Sequence, residues 1–433
     1  MKMVSDKHYI NEPTGLKNIF RSLQYRNYRL FFGGQSISLI GTWIQQIAMP
    51  WLVYSLTGSI FLLGLVGFAG QIPTFFLAPF AGVLIDRWNR YHILIVTQIL
   101  AMIQALILAF LFFIGTIEVW HIIFLSVLLG CINAFDIPAR QSFIVEMVEK
   151  KEDLGNAIAL NSSMFNGARL VVPSIAGVLI ASTNEGICFL LNGLSYLFVI
   201  VSLILMKVKS KKREIKNPDV LKEIKEGFSY TFGFAPIKSI ILLLGLINLM
   251  GMPYIVLIPV FAKEIFHGGP YTFGFLMGAS GVGALIGALY LASKRNVLGL
   301  GKIISLSAGI FGFGLVTFSL SRLFLLSLVL MIITGLGMIL QMASSNTIVQ
   351  TIVDDNKRGR VMSFYMMALT GTAPFGSLLA GALASFLVGS PNTLIIGGIL
   401  CILGALIFAS KLPELKKLVH PIYVRLGIIS EGQ

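Results

Sequence analysis

The stretch FDIPARQSF, residues 135–143, holds Asp136, Pro138 and Arg140 close together. A carboxylate and a guanidinium four residues apart share one helix face and can pair there. The proline between them lacks an N–H and frees a backbone carbonyl. The preceding LLGCINA is apolar enough to lie in lipid, where an ionisable side chain is costly and is read as functional by default. Arg169 is a further such group along the chain. A carboxylate keeps its charge while an arginine holds it, and takes up a proton when left alone in a low-dielectric cavity. Asp136, Arg140 and Arg169 are therefore candidates for proton coupling, with the two arginines as alternative partners of the aspartate. A static salt bridge between helices is the competing reading.

The elements that must position these groups follow from composition. The chain has 433 residues, of which 56% are hydrophobic and 12% charged, with a mean hydropathy of +0.86. Those values lie outside the range of soluble domains and predict a multi-pass, all-α membrane protein. Apolar runs of about 20 residues can each cross the hydrocarbon core as a helix. Twelve are predicted, at 30–54, 60–84, 91–115, 119–147, 154–181, 186–207, 237–262, 271–293, 302–320, 323–350, 360–388 and 393–411. With both termini inside, the cytoplasmic segments hold 29 of the 33 Lys and Arg, and only Lys263 and Arg322 fall outside. That asymmetry is the positive-inside pattern, and it accounts for the net charge of +14 without a nucleic-acid partner. The expected location is the cytoplasmic (inner) membrane. Counted from the turn near Lys151, Asp136 lies 15 residues up the fourth span and Arg169 lies 18 up the fifth. Both are then about 22–27 Å along their helices and could meet.

The basic segment between spans six and seven divides the chain. The expected organisation is a cytoplasmic tail at 1–29, a six-helix bundle at 30–207, a linker at 208–236, a second bundle at 237–411 and a tail at 412–433. Val220, Ile224, Gly227 and Phe228 suggest an amphipathic surface helix in the linker, as Leu16, Ile19, Phe20 and Leu23 do in the N-terminal tail. Residues 130–179 lie over 335–383 with an offset of about 204, a repeat typical of two pseudo-symmetric bundles around a midplane cavity. Gly130 falls on Gly335, Gly177 on Gly381, Asp136 on Gln341 and Arg140 on Ser345. Charge is confined to one half.

GVLIDRWNR, residues 82–90, closes the second span with Gly82, Asp86, Arg87 and Arg90 at spacings that resemble the loop motif of the major facilitator superfamily. Asn89 replaces a glycine of that motif and Tyr91 a basic residue. The resemblance implies that Asp86 latches the start of span eleven, near Arg360 to Ser363, and holds an outward-facing state. FNGARLVVPSIAGVL resembles the antiporter signature of that superfamily through Gly167, Pro173 and Gly177, which favours export. FRSLQYRNYRLFFGGQSISLIGTWIQQIAMPWLVYSLTGS, with FDIPARQSFI and NAIALNSSMFNGARLVVPSIAG, is similar to the enterobactin-exporter-like branch. That branch exports siderophores or hydrophobic compounds.

In the first span, Gln35, Trp43, Gln45 and Gln46 offer hydrogen bonds and an aromatic face to a cavity, although some can serve only to join helices. No GxxxxGK[ST], HExxH or GxSxG occurs, which argues against an ATP-driven pump and a membrane enzyme. No cofactor and no metal are expected, and Cys131, Cys188 and Cys401 lie at no metal-like spacing. The expected function is secondary active export of a small molecule by a monomer, in exchange for protons, with lipid as the other partner. A proton-coupled importer and a non-transporting receptor or scaffold stay open as alternatives.

Overall fold

The computed structural model describes residues 20–207, 220–294, 296–354 and 357–429; side chains at 78–79, 82–83, 86–87, 151 and 220–224 fall outside that description. The described residues form helices and no strand. In the first half these are α1 (Arg26–Thr57), α2 (Ile60–Arg87), α3 (Arg90–Phe113), α4 (Val119–Met147), α5 (Lys151–Ser182) and α6 (Glu185–Leu205). The short α7 (Val220–Gly233) follows. The second half has α8 (Ala235–Ile265), α9 (Pro270–Ala292), α10 (Leu300–Leu320), α11 (Phe324–Ile352), α12 (Arg358–Leu387) and α13 (Gly389–Arg425). Eleven of these helices are long and apolar enough to cross a membrane. The exceptions are α7 and α1; the latter has 32 residues but carries Gln35, Ser36, Ser38, Thr42, Gln45 and Gln46 along its length.

Turn chemistry places the ends. Gly58, in the left-handed region at φ 60°, terminates α1, and Ser59 then accepts from Leu62 N at 3.3 Å to begin α2. Asn89 and Asn184 do the same for α3 and α6, accepting from Tyr91 N and Ile187 N at 3.0 Å. Every predicted span end falls within four residues of a helix end except the last: α13 runs on to Arg425 rather than stopping at 411. Beyond that point Leu415 and Val419 are buried, so an amphipathic face carries the helix forward after the apolar run ends.

Within the first half, α1 packs on α5 and α6, α2 on α4, and α3 on α4 and α6. In the second half, α9 and α10 pack on α11, while α13 packs on α8 and α10. The halves meet through α5 against α9 and α2 against α12. Glycines related by the repeat do matching work. A methyl group on Gly130 would stand 2.5 Å from Gly70 O of α2, and Gly335 lies tighter still against Ser280 of α9, so each lets two helices of its own half touch.

At the end where the described chain begins, the near end, Asp153 in the first turn of α5 gathers the segment ahead of α1. Its carboxylate meets Arg21 Nε at 2.9 Å and accepts from Tyr25 Oη at 2.6 Å and Gln24 Nε2 at 3.1 Å. Asp153 also holds the Tyr25 phenol above its ordinary pKa by accepting a hydrogen bond from its protonated form. The second half has a counterpart, in which Asp354 meets Arg425 Nη2 at 3.1 Å and Tyr230 Oη at 3.5 Å. Leu16 and Ile19 lie outside the described residues, Phe20 is exposed, and Leu23 packs beside the clasp. In α7 the side chains of Val220 and Ile224 are likewise outside, whereas Gly227 and Phe228 lie on Arg360 and Phe364 of α12. Asp153→Asn should cost about 1 kcal/mol locally. Limited trypsin digestion should then cut faster after Arg21 and Arg26; an unchanged rate would mean the clasp does not hold this segment.

Candidate functional site

Asp136 is 4% exposed on α4. Its Oδ2 pairs with Arg140 Nη2 at 3.2 Å, one turn along the same helix. Its Oδ1 accepts from Thr97 Oγ1 at 3.0 Å and Gln98 Nε2 at 2.7 Å, both from α3. The guanidinium of Arg140 also stands 5.2 Å from the centre of the Phe165 ring of α5, so one charge pair touches three helices. Pro138 leaves the Ala134 carbonyl without its helical donor beside this pair. In the second half, Gln341 and Ser345 occupy the repeat-equivalent places and are themselves joined, Nε2 to Oγ, at 3.3 Å. The same i,i+4 device is charged in one half and neutral in the other.

Arg169 is not a partner of Asp136 here. The helix α4 ends at Met147 and α5 begins at Lys151, with an extended turn between them. Measured from its own helix end, Asp136 is only about 16 Å deep, against about 27 Å for Arg169. The turn between Met147 and Lys151 adds no helical rise to the depth of Asp136. Arg169 instead reaches the second half, where its Nη2 donates to Met338 Sδ of α11 at 3.4 Å.

The four residues expected to line a cavity in α1 separate. Gln45 is buried and accepts from Asn192 Nδ2 of α6 at 2.7 Å while donating to Gln104 Oε1 of α3 at 3.3 Å. It joins helices and faces no cavity. Gln35 is 3% exposed with its Oε1 unpartnered, Trp43 is half-buried against the core, and Gln46 is exposed.

The antiporter-like residues also separate. Gly167 has nothing within 4 Å of where a methyl group would stand, so it is not a packing glycine. Gly177 is: a methyl group there would lie 2.7 Å from Pro270 O and 2.9 Å from Gly274 Cα, and Pro173 O lies as close to Gly274. Its repeat-equivalent, Gly381, lies 2.9 Å by the same measure from Gly64 Cα. Two glycine pairs thus bring the halves into backbone contact at the end remote from the described beginning of the chain, the far end. Around them Trp51 stacks on Phe273 at 6.3 Å, Phe61 meets Phe386 at 5.3 Å, and Tyr54 Oη donates to Glu264 beneath Lys263. Toward the near end α5 exposes Ser162, Ser163, Asn166 and Gly167. These glycine and aromatic contacts join the two halves at the far end, whereas toward the near end α5 leaves polar side chains exposed.

Of the loop-motif residues, Gly82, Asp86 and Arg87 have side chains outside the described set. Arg90 is described: it is 7% exposed and meets Glu146 Oε1 at 2.9 Å and Ser142 O at 3.2 Å, tying the turn to the near end of α4. Near the start of α12, Arg360 meets Glu226 of α7 at 2.6 Å.

Thr97, Gln98, Gln104, Asn192, Tyr54 and Glu264 were not anticipated as part of these arrangements. Thr97 and Gln104 are seven residues apart and so share a face, a signal open to a periodicity reading.

Residues 18–421 match the family described as transmembrane secretion effector. The chain belongs to that family. This transporter is 28% identical to the staphyloferrin A transporter of Staphylococcus aureus, over 90% of this chain and 97% of that one. It is 23% identical to macrolide efflux protein A of Streptococcus pyogenes, over 91% and 99%. To the multidrug efflux pump Tap of Mycolicibacterium fortuitum it is 23% identical over 79% and 86%. The first of these relatives is a transporter and the other two are efflux proteins; this chain is a membrane transporter of the major facilitator type and not an enzyme. In fold it is similar to an inward-facing bacterial homologue of the iron transporter ferroportin, with a TM-score of 0.66 at 17% identity over 89% of this chain and 98% of that one. An inward-facing, occupied bacterial homologue of the lysosomal transporter Spinster gives 0.70 at 13% identity, over 89% and 96%.

Proposed function

We propose that this transporter exports a small molecule, siderophore-like or hydrophobic, across the cytoplasmic membrane in exchange for protons. Its twelve spans would form two six-helix bundles in a monomer, with both termini and the 208–236 linker in the cytoplasm. The near end would then be cytoplasmic and this structure inward-open. The observation that carries the reading is the Asp136 site: a deep carboxylate held by Arg140, Thr97 and Gln98, opposite an uncharged Gln341–Ser345 pair in the other half. Protonating Asp136 removes its attraction for Arg140. The Phe165 ring gives the guanidinium another contact on α5, so gain and loss of one proton shift the balance between α4 on α3 and α4 on α5. The macrolide and multidrug efflux relatives support the direction.

The far-end glycine pairs would act as the seal that opens when the near end closes. The latch at Asp86 belongs to the opposite, outward-facing state, with the start of α12 as its partner. In proteoliposomes carrying the purified protein, an imposed proton gradient should drive labelled substrate against the direction of proton flow, and reversing the gradient should reverse the net flux. Substrate that moves with the protons would make this chain an importer, and flux indifferent to the gradient would remove proton coupling.

A further inference from the structure

The charges at mid-depth do not cancel. Asp136 and Arg140 form a neutral pair, and among the described residues Arg169 has no carboxylate within bonding distance. Among the described residues its one polar partner is the Met338 thioether, a weak acceptor set against a guanidinium with five N–H donors. A half-buried cation without a carboxylate at membrane depth is costly, and a ligand of opposite charge reduces the cost. The position is also the junction of the halves. Gly281 of α9 lies so close that a methyl group on it would stand 2.8 Å from Leu170 Cα and 3.2 Å from Arg169 O. On the second half Tyr254 and Ser280, the latter next to Gly281, share a hydroxyl–hydroxyl bond of 2.9 Å. Buried Met338 and the Leu170 side chain supply apolar surface.

We propose that Arg169 is the docking point for a carboxylate of the cargo, so that this transporter's substrates are organic anions with an apolar body. The proposal rests on the export reading and names its substrate class. A carboxylate accepts two parallel N–H bonds from a guanidinium and outcompetes a thioether sulfur for them. Binding therefore draws Arg169 from Met338, breaking a contact between the halves at the inner edge of the far-end seal. Cargo entry from the near end thereby loosens the closure that has to open next. Asp136 is left free to carry the proton, because the cargo's charge is met by a different residue.

The test is a calorimetric titration of the full chain in lipid nanodiscs, with empty nanodiscs as the blank. The probes are 2-naphthoate and its neutral counterpart 2-naphthamide. The carboxylate should bind about tenfold or more tightly than the amide, as expected for hydrogen bonds to a charged group. Arg169→Gln should abolish that preference while leaving amide binding unchanged, and Arg169→Lys should restore part of it. Equal affinities in the wild type, no saturable carboxylate binding, or a preference that survives Arg169→Gln would each overturn the assignment. No proton gradient is present, so failure here leaves proton-driven export standing. Conversely, gradient-indifferent flux leaves the carboxylate preference intact.

Discussion

Asp136→Asn is expected to reduce gradient-driven accumulation of substrate in proteoliposomes to background, a loss of about tenfold or more, while substrate-for-substrate exchange continues. The substitution keeps the shape of the side chain. An Asn oxygen can still accept from Thr97 Oγ1 and Gln98 Nε2, which now reach Oδ1 at 3.0 and 2.7 Å. What is lost is the charge facing Arg140, at a stability cost of about 1–3 kcal/mol, reduced by the Arg140 contact with Phe165. Fold and binding should therefore survive, whereas the site can no longer exist in two protonation states and cannot couple a proton to the cycle. A static salt bridge predicts something else: weaker protein, but transport still driven by the gradient. If the Asn variant concentrates substrate at the native proton stoichiometry, Asp136 is a structural tie.

The helix positions were legible because apolar runs and their Gly, Ser and Asn punctuation are local properties of the chain. The exception, the extension of α13 to Arg425, was hidden because mean hydropathy falls where Lys416 and Lys417 appear, although the spacing of Leu415 and Val419 still marks one buried face. The Asp136–Arg140 pair was legible for the same local reason, since four residues make one helical turn. Its partners on α3 were not, because which face α3 turns toward α4 is fixed by tertiary packing. Gln45 shows that limit from the other side: its polarity was visible, but whether it met solvent or met Gln104 and Asn192 depended on the rotation of α1. The repeat was the most informative non-local signal. Aligning Gly177 with Gly381 placed two glycines that do the same work against opposite halves, without showing that Gly274 and Gly64 receive them.

Gly177→Leu is expected to pry the far end open. A methyl group at this position already stands 2.7 Å from Pro270 O and 2.9 Å from Gly274 Cα, and both are backbone atoms that cannot rotate aside. Three further carbons fit only if α5 and α9 move from near backbone contact toward the ordinary helix spacing of about 8–10 Å. Spin labels at Ser182 and His267, on the far ends of the two halves, should report a distance longer by about 2–4 Å on that account, and net transport should collapse because the seal no longer closes. Gly381→Leu should act in the same direction through Gly64, since the two pairs share one closure. Gly167→Leu is the matched control, as the same side chain on the same helix enters open space and should leave the distance unchanged. A wild-type distance distribution and normal flux in Gly177→Leu would mean that the halves adjust without cost at this contact. The seal would then lie in the aromatic pairs and the Tyr54–Glu264 bond above it.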